Sequence, residues 1–198
     1  MAAPPGAAQA RELLERYVEA KDLNRPELTP ALYSRDAVLS FSIATDEISF
    51  PDEVRGRQAI TRTLVTEFGE RFDRCRTFYV CDSLPVHDHC IAFLPWLVVM
   101  RETASRTLRV GKGCYRWVFE PDGRPAVRAM KIHIARMAGI ADPDGSMLER
   151  VQAGLPYPWL APAELRRVVD ALVAGGPAFE FLTTFRETVA PNECGVSN

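Results

Sequence analysis

Lysine is almost missing from this chain. Of its 24 basic residues only Lys21, Lys112 and Lys131 are lysines. With alanine and proline frequent, that pattern reflects a GC-rich coding bias and assigns no function. A basic excess is missing as well. The 24 basic residues face 26 acidic ones, for a net charge of −2, so the broad cationic footprint of a nucleic-acid binder is excluded. No long apolar run occurs. The longest, Ile91 to Met100, is broken by Pro95 and is half of the ~20 residues a spanning helix needs, so no membrane partner is expected. The start, Met1-Ala-Ala-Pro-Pro-Gly-Ala-Ala, lacks the basic and apolar stretches of a signal peptide. Residues 1–9 read instead as a disordered lead-in.

Cysteine is sparse and unpaired in pattern. Cys75, Cys81, Cys90, Cys114 and Cys194 are an odd, scattered set without a CxxC, which predicts reduced thiols and a cytoplasmic protein. HExxH, GxSxG and Walker motifs are absent. Gly111-Lys-Gly-Cys-Tyr-Arg has two glycines, but Arg116 stands where a dinucleotide loop needs its third. No metal and no organic cofactor is expected. The one segment with a metal-ligand look, His87-Asp-His89-Cys90, reads as a polar hairpin turn, since a structural zinc site wants four such ligands.

What is present suits one packed domain. The chain has 198 residues, 47% of them hydrophobic and 25% charged. Arg11–Lys21 predicts a helix with Leu13, Leu14, Tyr17 and Val18 on one stripe. Pro26–Tyr33 predicts a short second helix and Asp36–Ala44 a strand. Gln58–Phe72 predicts a third helix, with Ile60, Leu64, Phe68 and Phe72 spaced by four. Strands follow at Arg76–Leu84, His89–Glu102, Arg106–Glu120 and Ala126–Met137, the last two joined by a tight turn at Pro121-Asp-Gly-Arg. Met147–Gln152 and Pro162–Ala174 predict helices on either side of the irregular Leu155-Pro-Tyr-Pro-Trp.

Parity sorts the strands. In the strand from Arg106 the odd residues Gly111, Gly113, Tyr115, Trp117 and Phe119 carry no charge and face the interior. Its two glycines leave room for a bulge, a bend or a ligand. The strand from His89 is apolar on both parities from Cys90 to Met100, so both faces need a cover. The helices supply one. The C-terminal tail or a partner subunit supplies the other.

Helices followed by an antiparallel sheet predict an α+β domain. Arg16-Tyr17-Val18, Ala31-Leu32-Tyr33, Asp36-Ala37-Val38, Gly56-Arg57-Gln58-Ala59-Ile60 and Asp122-Gly123-Arg124 resemble the nuclear transport factor 2-like, or SnoaL-like, superfamily, which includes ketosteroid isomerases. The resemblance runs from about Glu12 to Met137. It implies a cystatin-like cone over residues 10–138, in which a curved, mainly antiparallel sheet wraps the N-terminal helices around a pocket. Residues 139–198 form a helical extension packed on the cone or its dimer partner. A small-molecule ligand and a homodimer are the implied partners.

The same resemblance assigns pocket positions. Tyr17 falls where steroid isomerases carry an oxyanion-stabilising tyrosine. Their second donor falls near Tyr115, which keeps a hydroxyl to donate. Phe41 occupies the place of their general-base aspartate, and Met130 that of the aspartate of limonene epoxide hydrolases. Isomerisation needs a carboxylate to shuttle the proton. Asp46 or Glu47, in the loop after the first strand, is the candidate replacement. Trp117 joins the apolar lining, and the parity of Ala126, Met130, Ile132 and Ile134 sets Arg128 inward as an anchor for an acidic or carbonyl group. Lys112 and Lys131 fall on outward parities.

Two functional readings follow. One is a cofactor-independent isomerase, dehydratase or cyclase acting on an apolar, oxygen-bearing molecule, with Tyr17 and Tyr115 polarising the oxygen. The other is a ligand-binding or assembly protein that lost the base.

Overall fold

A computed structural model describes residues 6–122 and 124–195. Helix α1 (Ala7–Asp22) starts four residues earlier than its apolar stripe requires, because Ala7, Ala8 and Ala10 extend it at little cost. Residues 1–5 of the expected lead-in lie outside the described residues. A 3-10 turn (Pro26–Ala31) leads into β1 (Tyr33–Ile43), and the short β2 (Glu53–Arg55) folds back on it. The third predicted helix is a run of three abutting segments: α2 (Arg57–Thr61), a π-helical turn (Arg62–Thr66) and α3 (Glu67–Arg71). Its buried residues Ile60, Leu64, Val65 and Phe68 face α1 and the sheet interior.

Four long strands follow. They are β3 (Phe72–Val80), β4 (Cys90–Glu102), β5 (Thr107–Phe119) and β6 (Val127–Ala141). With β7 (Trp159–Leu160) they form one sheet in the order β2-β1-β6-β5-β4-β3-β7. Only the β1–β6 and β3–β7 pairs are parallel. The fold is the expected α+β cone. β3 begins four residues before its alternation becomes readable, because a bulge between Asp73 and Arg76, with Arg74 at φ 49°, breaks the period. His87 and Cys90 exchange both backbone hydrogen bonds, at 2.8 and 2.7 Å, around Asp88 and His89 at positive φ. That is a two-residue hairpin turn. β5 and β6 form the expected hairpin; Gly123 of their turn lies outside the described residues.

The sheet has two buried faces. The inner face packs on α1 and α3 through Tyr79, Trp96, Tyr115, Trp117 and Phe119. On the outer face Phe78, Val80, Leu97, Val99, Leu108 and Val110 share one cluster with the tail. The tail brings α4 (Ser146–Ala153), α5 (Pro162–Ala174) and a 3-10 helix (Pro177–Phe185), and inserts Leu148, Leu165, Val169, Phe179 and Phe185. The tail is therefore the second cover of β4. It is also tied covalently, since Cys114 on β5 and Cys194 form a disulfide. This corrects the expectation of five reduced thiols, and removes the ground on which a reducing compartment was expected. The two half-cystines are 80 residues apart, a pairing that spacing alone does not reveal. No helix of the described residues is long and apolar enough to cross a membrane.

Candidate functional site

α1 sets the floor of the site. Tyr17 and Lys21 are four residues apart, so they lie on one helical face, and both are buried against the sheet. β5 brings Tyr115 over Tyr17, with the hydroxyls 3.5 Å apart and the rings edge to face. That separation is long for an O–H···O bond. Either hydroxyl can donate, and an oxygen about 2.8 Å from each would satisfy both better than they satisfy one another. Burial comes first in pushing both tyrosines well above their ordinary range, so both remain donors.

The cavity beside this pair measures about 50 Å³. Its walls are almost wholly apolar, with Leu64, Phe68, Val98, Met100, Ile132, Ile134 and Met137 around the tyrosines. Phe41 from β1 and Phe50 from the following loop stack at 4.6 Å, parallel within 1°, and with Ile48 they line it from the loop side. Its polar groups are Tyr17, Tyr115, Lys21, Thr77 and Trp96. The Trp96 indole N–H is buried without a hydrogen-bond partner among the described residues.

Behind the cavity lies a polar hub. The Lys21 ammonium is 2.8 Å from an Asp22 carboxylate oxygen and 4.5 Å from the centre of the Phe68 ring. Asp22 also accepts from the Thr77 N–H at 2.6 Å, the Thr77 hydroxyl at 2.9 Å, the Cys75 thiol at 3.3 Å and the Tyr157 hydroxyl at 3.0 Å. A carboxylate offers about four lone-pair sites. Five donors saturate it, so Asp22 holds Lys21 in place and has nothing left to take a proton from a ligand. Burial alone pulls the Lys21 ammonium down. The Asp22 carboxylate, with Cys75 and Tyr17, outweighs it and raises Lys21 above its usual range. The lysine is a fixed cation, not an imine-forming amine.

This hub carries a pH signature. Burial, then Asp22, pushes the Cys75 thiol from 9.0 up to about 12. Lys21, Tyr17, Tyr33 and Tyr79 are raised too. In each case the fold favours the protonated form. The stability so gained is complete below the unfolded values and is lost as pH rises through the unfolded and then the folded values. Urea midpoints should therefore hold level from pH 7 to about 9 and fall above it, and Cys75→Ser should make that fall shallower, what remains near its onset coming from Cys81, whose thiol burial also raises. Equal midpoints at pH 8 and 10.5 would contradict the assignment.

The structure sorts the sequence candidates plainly. Tyr17, Tyr115 and Phe41 line the cavity. Trp117 is fully buried behind the tyrosines, 5.1 Å from the Tyr17 ring. Met130 is buried against the Tyr33 hydroxyl. Neither of these two is among the lining residues. Asp46 and Glu47 are exposed, and Glu47 pairs with Arg109 at 2.7 Å. The loop reaches the cavity, but with Ile48 and Phe50. Arg128 requires correction: it is exposed, not inward. The register shifts between Val118 and Phe119, which pair with Ala129 and Val127. Arg128 is the extra residue of that bulge, so the parity running back from Met130 reverses there.

Lys21, Asp22, Thr77, Trp96 and Phe50 are the site residues that sequence reasoning passed over. A signal for Lys21 existed in its spacing of four from Tyr17, on the stripe of α1 already assigned to the core.

No family model matches the chain, and no curated protein does. Solved structures do. LinA shares 12% identity at a TM-score of 0.56, covering 68% of this chain and 88% of its own. The hexachlorocyclohexane dehydrochlorinase LinA-type3 from Novosphingobium barchaimii LL02 gives 12% and 0.56 over 68% and 89%. A nuclear transport factor 2-like superfamily protein from Salmonella enterica serovar Typhimurium LT2 gives 15% and 0.48 over 71% and 94%. At such identities the likeness is one of fold, and the two structures at a TM-score of 0.56 bear out the fold that the sequence motifs suggested.

Proposed function

We propose that this chain, built on the nuclear transport factor 2-like fold, binds a small, largely apolar molecule carrying one hydrogen-bond acceptor. One observation carries the reading. Donors predominate among the cavity's polar side chains, in an apolar shell: two tyrosine hydroxyls, a fixed ammonium and the Trp96 indole N–H, which has no partner among the described residues, while the Thr77 hydroxyl already donates to Asp22. A buried donor left unpaired costs roughly 1–3 kcal/mol, and a carbonyl oxygen or a halide would relieve that cost. No unsaturated carboxylate stands beside these donors, so the arrangement favours binding and polarisation over proton abstraction. Of the two readings, the binder that lost its base fits better than the isomerase, dehydratase or cyclase.

A cavity of about 50 Å³ holds the polar end of such a ligand and a few carbons. An apolar cavity of about 150 Å³ accommodates benzene, so a ring-sized ligand needs the Phe41–Phe50 stack to part. A matched pair tests the proposal: cyclohexanone and methylenecyclohexane differ by oxygen against CH₂ at constant shape. Saturation-transfer NMR should show the ketone binding about tenfold more tightly. That preference should shrink to about twofold in Tyr115→Phe and in Trp96→Phe, each of which removes one donor worth about 0.5–1.5 kcal/mol. Equal binding of the two probes to the native chain would sink the reading.

A homodimer belongs to the proposal as well. Its interface would lie off the outer sheet face that the tail covers, and light scattering at micromolar concentration measures it.

A further inference from the structure

The disulfide lies in a setting that the ligand cavity does not explain. Cys114 and Cys194, with Arg116, Lys131 and His133, line a separate cavity of about 240 Å³ on the outer side of the sheet. Arg116 and Lys131 are direct partners across the β5–β6 pair, as are Cys114 and His133. Both cations are exposed, and neither forms an ion pair among the described residues. Glu193, next to Cys194 in sequence, accepts the Ala190 N–H at 2.9 Å, within its own turn. His133 holds Ser42 at 3.2 Å through Nδ1.

We propose that Cys114–Cys194 is a thiol-exchange site for a small thiol bearing carboxylates, which Arg116 and Lys131 attract. Cations beside a sulfur favour its thiolate and so make it a better leaving group. Cys194 is the sulfur attacked: it lies in a four-residue turn (Pro191–Cys194), whereas Cys114 is held inside the sheet. The incoming thiolate forms a disulfide with Cys194 Sγ. The Cys194–Cys114 bond breaks, and its electron pair leaves on Cys114 Sγ beside Arg116. A second thiolate then displaces Cys194 from the mixed disulfide. The net change is one protein disulfide reduced and two small thiols oxidised to their disulfide. Exchange frees the stretch around Val189 and Cys194, which packs on Phe93 and Ala135. Phe179, Leu182 and Phe185 keep the rest of the tail in place.

The test compares glutathione, which carries two carboxylates, with cysteamine, a cationic thiol, at matched thiolate concentration on the full oxidised chain. Opening is followed by alkylation and intact mass. Glutathione should open the bond about fivefold faster, the scale of two exposed charge contacts. Arg116→Gln/Lys131→Gln should abolish that preference, as should high salt. Both side chains are exposed, so the double variant should melt with the native chain. In Cys114→Ser, oxidised glutathione should trap the mixed disulfide on Cys194. Equal rates with the two thiols, a preference that the double variant retains, or a bond that opens only after denaturation would each overturn the proposal.

Discussion

Replacing Asp22 by alanine will cost the fold about 3–5 kcal/mol, the scale of removing one partner from a buried ion pair. The reason is arithmetic on donors. Without the carboxylate, the Lys21 ammonium, the Thr77 N–H and hydroxyl, the Cys75 thiol and the Tyr157 hydroxyl lose their acceptor together. The ammonium is the costliest of them, being only 6% exposed and paired with no other carboxylate among the described residues. Much of the loss is thus an unpaired charge rather than a lost bond. Removing that charge should return part of it, so Lys21→Met/Asp22→Ala should be more stable than Asp22→Ala alone. Urea unfolding of the two single variants and the double one closes the cycle. A loss under about 1 kcal/mol for Asp22→Ala would mean that water reaches the hub.

Gly113→Ala should be the most damaging single methyl group that can be added to the sheet. Its Cβ would lie 1.8 Å from the backbone oxygen of His133 and 2.7 Å from the Trp96 ring. A carbonyl within the β5–β6 ladder cannot retreat unless the two strands part, so the expected cost is about 3–5 kcal/mol, beyond ordinary overpacking. Gly111 is the control two residues away. There the added carbon meets the terminal methyl of Met137 at 2.7 Å and the Val98 side chain at 3.1 Å. Met137 is the flexible end of an unbranched side chain, so Gly111→Ala should cost about 1 kcal/mol. Thermal melts of both variants measure the contrast. Equal losses would show that the bulge between Lys112 and Gly113 gives way.

The same pair of glycines shows what the sequence could tell. Their parity set them on the inner face, and that is where they lie. Whether the room beside them held a bulge, a bend or a ligand depended on which neighbours arrive from other strands. Trp96 and Met137 fill it, and a bulge takes up the remainder. Periodicity also located α1, α5 and the four long strands, because each carries its apolar pattern over many residues. It failed at Arg128 and at the start of β3, where one extra residue reverses the parity and leaves no mark in composition. The site divided along the same line. Tyr17, Tyr115 and Phe41 were legible through motif position. Asp22, Thr77 and Tyr157 come from three distant stretches of chain, and only the folded state brings them together. Glu47 was a poor candidate for a reason invisible in one dimension: Arg109 on β5 already holds it.

The tail's cover on the outer sheet face bears on how this protein behaves under dilution. A cover that arrives as a second subunit must be present at some concentration, and the stability it confers falls as the protein is diluted. Here the cover is tethered, so its local concentration is set by the length of chain connecting it and not by the number of molecules in the cell. The sheet therefore keeps its apolar face shielded even at very low copy number, and the exposed strand surface that drives aggregation is screened from the moment the last helix docks.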